Sequence, residues 1–228
     1  MHKHATRVMA GVGAAALGLT IGVGAALAAG PHGSATAPAV GSGGSGPAYG
    51  GGYGAGYAGG AGSVTLGQTR TQAITAALAL PGGALTAGQA EQLAGMAEEE
   101  KLALDLYTAF SHSYDTPVWR NIAASEAAHL EAVRTLLARY GTADPTAGRS
   151  AGDFASLEVT SLYRSLLAQG SASESAAWSV GTTVETDDIG RLDAAASGVT
   201  APDVAAVYAS LRSASEQHLA AFTRLLAR

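Results

Sequence analysis

Glu126 and His129 stand in the stretch IAASEAAHLEAV as an E-x-x-H pair, a spacing that puts a carboxylate and an imidazole on one helix face, one turn apart. Together they form a hard-to-borderline ligand set suited to iron, manganese or zinc. Alone, such a pair often occurs by chance. It gains weight because other apolar stripes are interrupted in the same way. One seam with three- and four-residue spacing runs Leu93, Met96, Glu100, Ala103, Tyr107 and Phe110. The next runs Trp119, Ile122, Glu126, His129, Val133, Leu136 and Tyr140. Further on come Trp178, Gly181, Glu185, Asp188 and Leu192, then Val204, Tyr208, Leu211, Ser215, His218, Phe222 and Leu225. Each stripe carries an ionisable residue near its middle. Bare buried carboxylates would each be costly and would repel one another. A shared divalent cation removes both penalties. Of His112, His129 and His218, the histidines beyond the N-terminal region, only His112 lies off a seam.

The elements that must carry these seams are helices. Thr86 with Gln89 reads as a capping box opening a helix to about Phe110. Thr116-Pro117, a cap followed by proline at the first helical position, opens a second helix to about Tyr140, where Gly141 stops it. A shorter helix fits Phe154–Ala168, ended by Gly170. Ser171 is expected to cap a longer one to about Ala196, and Thr200-Ala201-Pro202 opens the last, which runs to the C-terminus. Upstream, residues 64–81 are ambiguous, with a short helix over Gln72–Leu80 that Pro81-Gly82-Gly83 ends. Short loops make the first two long helices antiparallel neighbours, and likewise the last two. The connection between these pairs is long and contains its own short helix. The expected fold is therefore all-α, with the connectivity of a ferritin-like four-helix bundle, although helices and loops alone leave other all-α folds open.

The segment Met96–Phe222 resembles an uncharacterised family of exported bacterial ferritin-like proteins. The stretches that carry the likeness are EEEKLALDLY, IAASEAAHLEAV, SLYRSLLAQGSAS, VGTTVETDDIGRL and SLRSASEQHLAAF. Glu100-x-x-Ala103-x-x-x-Tyr107 is also similar to the first ligand helix of rubrerythrins, in whose wider group each half supplies one glutamate and one E-x-x-H and the whole binds two metals. The resemblance implies Glu100, Glu126 and His129 as ligands from the first half, and Glu185 and His218 from the second. It also implies iron as the metal, with manganese or zinc as alternatives. One position departs from the pattern: Ser215 stands where the second E-x-x-H would have its glutamate. Asp188, one turn after Glu185, could serve as a ligand in its place or orient a histidine from behind. A single metal, or a weaker second one, then becomes an alternative to a symmetric pair.

Other residues have blander readings. Glu98, Glu99 and Asp187 are expected in solvent and His112 at the surface. Tyr107 and Trp119 read first as core packing. Tyr107 is the one candidate for a catalytic role, and its hydroxyl needs a buried partner that a ligand carboxylate would supply.

The N-terminal part is of another kind. All 18 acidic residues lie beyond Ser63, and the only basic residues before it are Lys3 and Arg7. Residues 1–29 combine that basic start with an uncharged run from Val8 to Ala29 closing on Ala26-Leu27-Ala28, and read as a secretory signal peptide. An uncleaved anchor is the alternative, since the run is long enough to span a bilayer, but its Gly/Ala richness makes a weak span. Without an Arg-Arg pair, export of the unfolded chain is expected. Residues 30–63, rich in Gly, Ala, Ser and Tyr, read as a disordered linker; the spaced Tyr49, Tyr53 and Tyr57 do not alter that reading. Residues 82–228 make the folded domain.

The acidic excess of the folded part argues against nucleic acid, whose binding needs a cationic face. The absence of cysteine removes disulfides and thiolate chemistry. No nucleophilic Ser–His–acid set is evident, and the Gly-rich tract does not sit between a strand and a helix as a phosphate loop would. The expected function is an exported metal-binding protein, secreted or associated with the cell envelope. Its di-metal carboxylate site would react with dioxygen or peroxide, and no stable membrane insertion is expected after signal cleavage. The alternative is a non-catalytic secreted or wall module in which the metal only stabilises the bundle. A homodimer is compatible with either, whereas nothing marks the assembly surfaces of an iron-storing cage.

Overall fold

The computed structural model describes residues 71–228, and among these the secondary structure is helical with no strand, which bears out the all-α class. The expected leader (1–29) and Gly/Ala/Ser/Tyr-rich linker (30–63) lie outside the described residues. Helix α1 covers residues 71–78. It is followed by α2 (Ala87–Ser113), α3 (Pro117–Arg139), α4 (Leu157–Gly170), α5 (Glu174–Ala196) and α6 (Pro202–Leu226). No helix among the described residues is long and apolar enough to cross a membrane.

Local chemistry sets most of the boundaries. Thr86 Oγ1 accepts from the Gln89 amide at 3.2 Å, and Gln89 Oε1 accepts from the Thr86 amide at 2.9 Å, closing the capping box. Proline opens α3 and α6, where its missing N–H costs nothing. Thr116 occupies the cap position of α3 without a side-chain cap bond, so proline alone marks that start. Gly141, at φ 64°, takes the left-handed conformation that ends α3. Two boundaries differ from expectation. Phe154 lies ahead of α4, buried in the core. Ser173 rather than Ser171 caps α5, its hydroxyl accepting from the Ala176 amide at 3.1 Å. Gly170 is the last residue of α4, as expected, and a Cβ there would come within 2.2 Å of the Phe110 ring.

Helices α2 and α3 pack as one hairpin and α5 and α6 as another; α2 also meets α5, α3 meets α6, and α4 lies against α2 and α5. The apolar interior has two parts. Leu93 and Met96, Val133 and Leu136, Leu192, and Val204–Leu211 belong to one. Leu106 and Phe110, Trp119 and Ile122, Val180 and Val184, and Phe222 belong to the other. On every long helix the two parts fall on opposite sides of the ionisable seam residue. A polar layer therefore divides the core.

The crossover between the hairpins is fastened beside that layer. Lys101 is buried, donates to Ser150 O at 2.8 Å, pairs with Asp105 and lies 4.6 Å from the centroid of the Phe154 ring. Asp105 in turn accepts from the Gly152 amide at 2.9 Å. Glu98, expected in solvent, is buried instead and accepts from the Ser156 amide at 3.0 Å, because the crossover covers that face of α2.

A second fastening closes the far end of the hairpins. Asp203 is fully buried; its carboxylate accepts from Arg139 Nη1 at 2.7 Å, from the Tyr140 hydroxyl at 2.6 Å and from the Val204 amide at 2.9 Å. Arg139 also donates to Leu78 O, and the Tyr140 oxygen accepts from the Gly83 amide. Burial pushes the Asp203 pKa up, but the bonds from Tyr140 and Arg139 outweigh it and hold the group below the usual carboxylate range. A depressed folded-state pKa contributes stability that is full above the unfolded value of about 3.9 and is lost as pH falls through the folded value. Asp203→Asn is therefore expected to cost about 1–3 kcal/mol at neutral pH and to flatten the acid limb of stability against pH. Urea unfolding from neutral pH down to the acid range measures both; an acid limb parallel to that of the unaltered protein would contradict the assignment.

Candidate metal centre

The polar layer is built by four helices, each holding its residue on the inward stripe that periodicity predicted. Glu100 comes from α2, Glu126 and His129 from α3, Glu185 from α5 and His218 from α6, and each is at most 2% exposed. They form two groups, Glu100–Glu126–His129 and Glu126–Glu185–His218, within each of which one ligand-type atom per residue lies within 4.8 Å of the others. Glu126 belongs to both. Its Oε2 is 2.7 Å from His129 Nδ1 and its Oε1 is 2.7 Å from His218 Nδ1. Glu100 Oε2 lies 3.4 Å from His129 Nδ1, and Glu185 Oε2 lies 3.6 Å from His218 Nδ1. The two imidazoles stack with centroids 5.9 Å apart. Buried Glu/His groups of this kind have the donor set and the spacing to hold a metal ion.

Several of these atoms lack an aligned hydrogen bond. Glu100 Oε1, Glu126 Oε1 and both ring nitrogens of His218 are buried and make no hydrogen bond. The Glu126–His218 pair is telling. The atoms approach to 2.7 Å, yet the contact is not aligned as a hydrogen bond. A buried polar atom left so is costly.

Electrostatics without a cation are strained accordingly. Burial raises the Glu126 pKa, but the charges of His129 and His218 overcome it and hold the carboxylate well below its usual range. Burial also lifts Glu100 to about 7 despite the bond from His129, and it raises Glu185 with help from the charge of Glu126. Burial lowers the imidazole of His218, but Glu126 and Glu185 more than offset this and bring it to about 9. His129 is lifted well above its ordinary value in the same way.

Residues 89–228 match the family model of an uncharacterised protein domain, DUF2202. The chain belongs to that family. A DUF2202 chain of this kind is 36% identical, over 147 residues, to the uncharacterised protein MJ0754 of Methanocaldococcus jannaschii, covering 64% of this chain and 80% of that one. The crystal structure of hypothetical protein MJ0754 superposes with a TM-score of 0.63, covering 65% of this chain and 85% of the other. The likeness extends to fold and sequence together.

Around the two groups, this DUF2202 domain places the remaining predicted residues as follows. Asp188 joins neither group; it is half-buried, and its Oδ2 lies 2.7 Å from Ser215 Oγ, which donates either to it or to Leu211 O at 3.1 Å. Burial raises the Asp188 pKa well above the ordinary carboxylate range, and Glu100 is the charge that adds most. Tyr107 is fully buried and donates to Glu185 Oε1 at 2.7 Å, the carboxylate partner its position called for. Trp119 packs with Tyr107 and Phe222 below the layer. His112 is exposed, as expected, while Asp187 is half-buried rather than solvated.

Glu99 was also expected in solvent. It is half-buried and paired with Arg191 at 3.1 Å, and burial lifts its pKa to about 8 against the pull of that arginine. Only the arginine one turn after Asp187 could have signalled this.

Removing the Tyr107 hydroxyl would leave Glu185 Oε1 without its donor. Tyr107→Phe is expected to lose about 1–3 kcal/mol in chelator-treated protein, read by urea unfolding. An unchanged midpoint would show that this bond carries no weight.

Proposed function

We propose that this protein is an exported, ferritin-like four-helix bundle whose polar layer holds an iron-type di-metal centre that reacts with dioxygen or peroxide. The observation that carries this reading is the pair of Glu/His groups sharing Glu126, in which Glu100 Oε1 and His218 Nε2 are buried without a hydrogen bond. The residues fit such a group. Glu100, Glu126 and His129 would hold one ion, and Glu126, Glu185 and His218 the other. A redox metal bound there supplies the electrons that neither carboxylate nor imidazole can. The protein's own part is positional. Tyr107 fixes one oxygen of Glu185, so that the other faces His218. Glu126 presents one oxygen to each side. The apolar parts of the core above and below keep water from the layer.

Charge gives Asp188 its place. Two divalent ions bring four positive charges, against which Glu100, Glu126 and Glu185 supply three negative ones. Asp188, on which Glu100 is the charge that acts most strongly, completes the balance from beside Ser215. The donor set also suits manganese or zinc; iron follows from the rubrerythrin-like pattern. The signal-peptide pattern expected over residues 1–29 supports export, secreted or to the cell envelope. A second reading, a wall module in which one ion only staples the hairpins, is favoured by Ser215, which leaves the second half one carboxylate short.

Anaerobic titration with ferrous iron, followed by peroxide or dioxygen, separates these readings. Two ions bound and then oxidised are expected. One inert ion would leave the staple. Glu126→Ala is expected to abolish the thermal stabilisation that metal confers by binding the folded state alone, while Ser215→Glu is expected to tighten the second site. The leader is tested by intact mass: mature protein is expected to begin near Ala29, and retained Met1 in a membrane fraction would refute export in cleaved form.

A further inference from the structure

One cavity touches the polar layer from outside. It is a cleft of about 350 Å³, open to solvent, between α1, α3 and α6, and His129 forms part of its wall together with Ile74, Ala209, Ser210, Ser213, Ala214 and Gln217. His129 is only 1% exposed, so one imidazole separates the cavity from the carboxylates. Its Nδ1 faces Glu126 and Glu100, while Nε2 lies 3.3 Å from Ser125 Oγ. His218, the counterpart ligand, does not line the space.

The cavity exists because α6 carries small side chains there. Ala209, Ser210, Ser213 and Ala214 recur at helical spacing on a face beside the inward stripe, whose own residues Tyr208, Leu211, Ser215, His218 and Phe222 fill the core. Helix α1 supplies the opposite wall through the buried Ile74. Apart from His129, none of the described lining residues is ionisable. The rest of the wall is methyl, hydroxyl and, at Gln217, amide.

That chemistry discriminates. A small anion would leave water for a wall whose one ionisable group, His129, is already paired with Glu126, and would then meet the field of Glu100 and Glu126 beyond it. A cation finds no carboxylate in the wall to exchange for its hydration shell. An uncharged molecule of two or three heavy atoms incurs neither penalty, and the volume holds several, since a water occupies about 30 Å³.

We infer that this cavity is the port through which small uncharged solutes of the dioxygen or hydrogen peroxide class reach the His129 side of the layer. The inference rests on the oxidant reading of the centre but concerns a separate set of residues. Cations arrive elsewhere, and filling the cavity leaves their binding intact.

The test begins with metal-free protein. Dissolved dioxygen under pressure, a neutral paramagnet, is expected to enhance relaxation of the His129 ring protons several-fold more than those of His218. Ser213→Trp, at an exposed position on the cavity wall, is expected to bring His129 down to the level of His218. Ala214→Phe fills the space more deeply and serves as the second variant, since its site is buried and an overpacked chain could fail to fold. In the ferrous-loaded protein, Ser213→Trp should slow oxidation by peroxide several-fold with ferrous affinity unchanged. Equal enhancement at both histidines, or enhancement that survives filling, would overturn the port. Failure to bind ferrous iron with the relaxation difference intact would overturn the metal reading and leave the port standing.

Discussion

A layer of carboxylates and imidazoles lies across the middle of an otherwise apolar interior, and the rest of the fold is arranged around the need to neutralise it. Glu100, Glu126, Glu185, His129 and His218 are each at least nine-tenths buried, where an uncompensated charge costs several kcal/mol. Pairing among themselves satisfies only part of that demand. Glu126 can serve both imidazoles, but Glu100 and Glu185 then compete for what positive charge remains. Apart from the Tyr107 hydroxyl bonded to Glu185, the aromatic packing of Tyr107, Trp119 and Phe222 on one side and the aliphatic packing of Leu93, Leu136 and Leu211 on the other cannot solvate them. What stabilises the two ends of the hairpins therefore lends the middle no charge of its own.

The fastenings follow the same logic. Lys101 and Glu98 flank Glu100 on α2, and both are turned to the crossover, gripping Ser150 and Ser156. The helix that carries Glu100 is thus held on its outer face by the connection between the hairpins. Asp203 does for the open end what the crossover does for the flank, joining α3, α6 and the approach to α2 through Arg139, Tyr140 and Gly83.

Much of the layer was legible because a helix reports its inward face by period. Every predicted stripe residue of α2 is buried, as are those of α3 from Trp119 to Leu136. A stripe says nothing about faces covered by an irregular segment. Glu98 and Lys101 lie off the stripe, and only the path of the crossover, which no periodicity encodes, takes them out of water. Gly170 shows the opposite ambiguity. Glycine marks helix ends and also close approach; Gly170 does both, and the second depends on a Phe110 ring sixty residues earlier in the chain. Asp203 was readable in principle: an acid in the first turn after Pro202 is favoured by the helix dipole, though its partners Arg139 and Tyr140 were not. Asp188 illustrates a further limit. Its stripe position was right, but whether it faces the layer or Ser215 depends on a side-chain torsion.

A carboxylate that belongs to two groups at once ties their occupancies into a single thermodynamic unit. An ion on the His129 side would fix the rotation of Glu126 and so present its other oxygen, already oriented, to the His218 side; the same ion would also draw off part of the charge on which a second one depends. Orientation favours the partner site and shared charge disfavours it. Whichever prevails, reciprocity requires that the second ion change the affinity for the first by the same factor. Because Ser215 provides no second bridge, all of that coupling passes through one side chain.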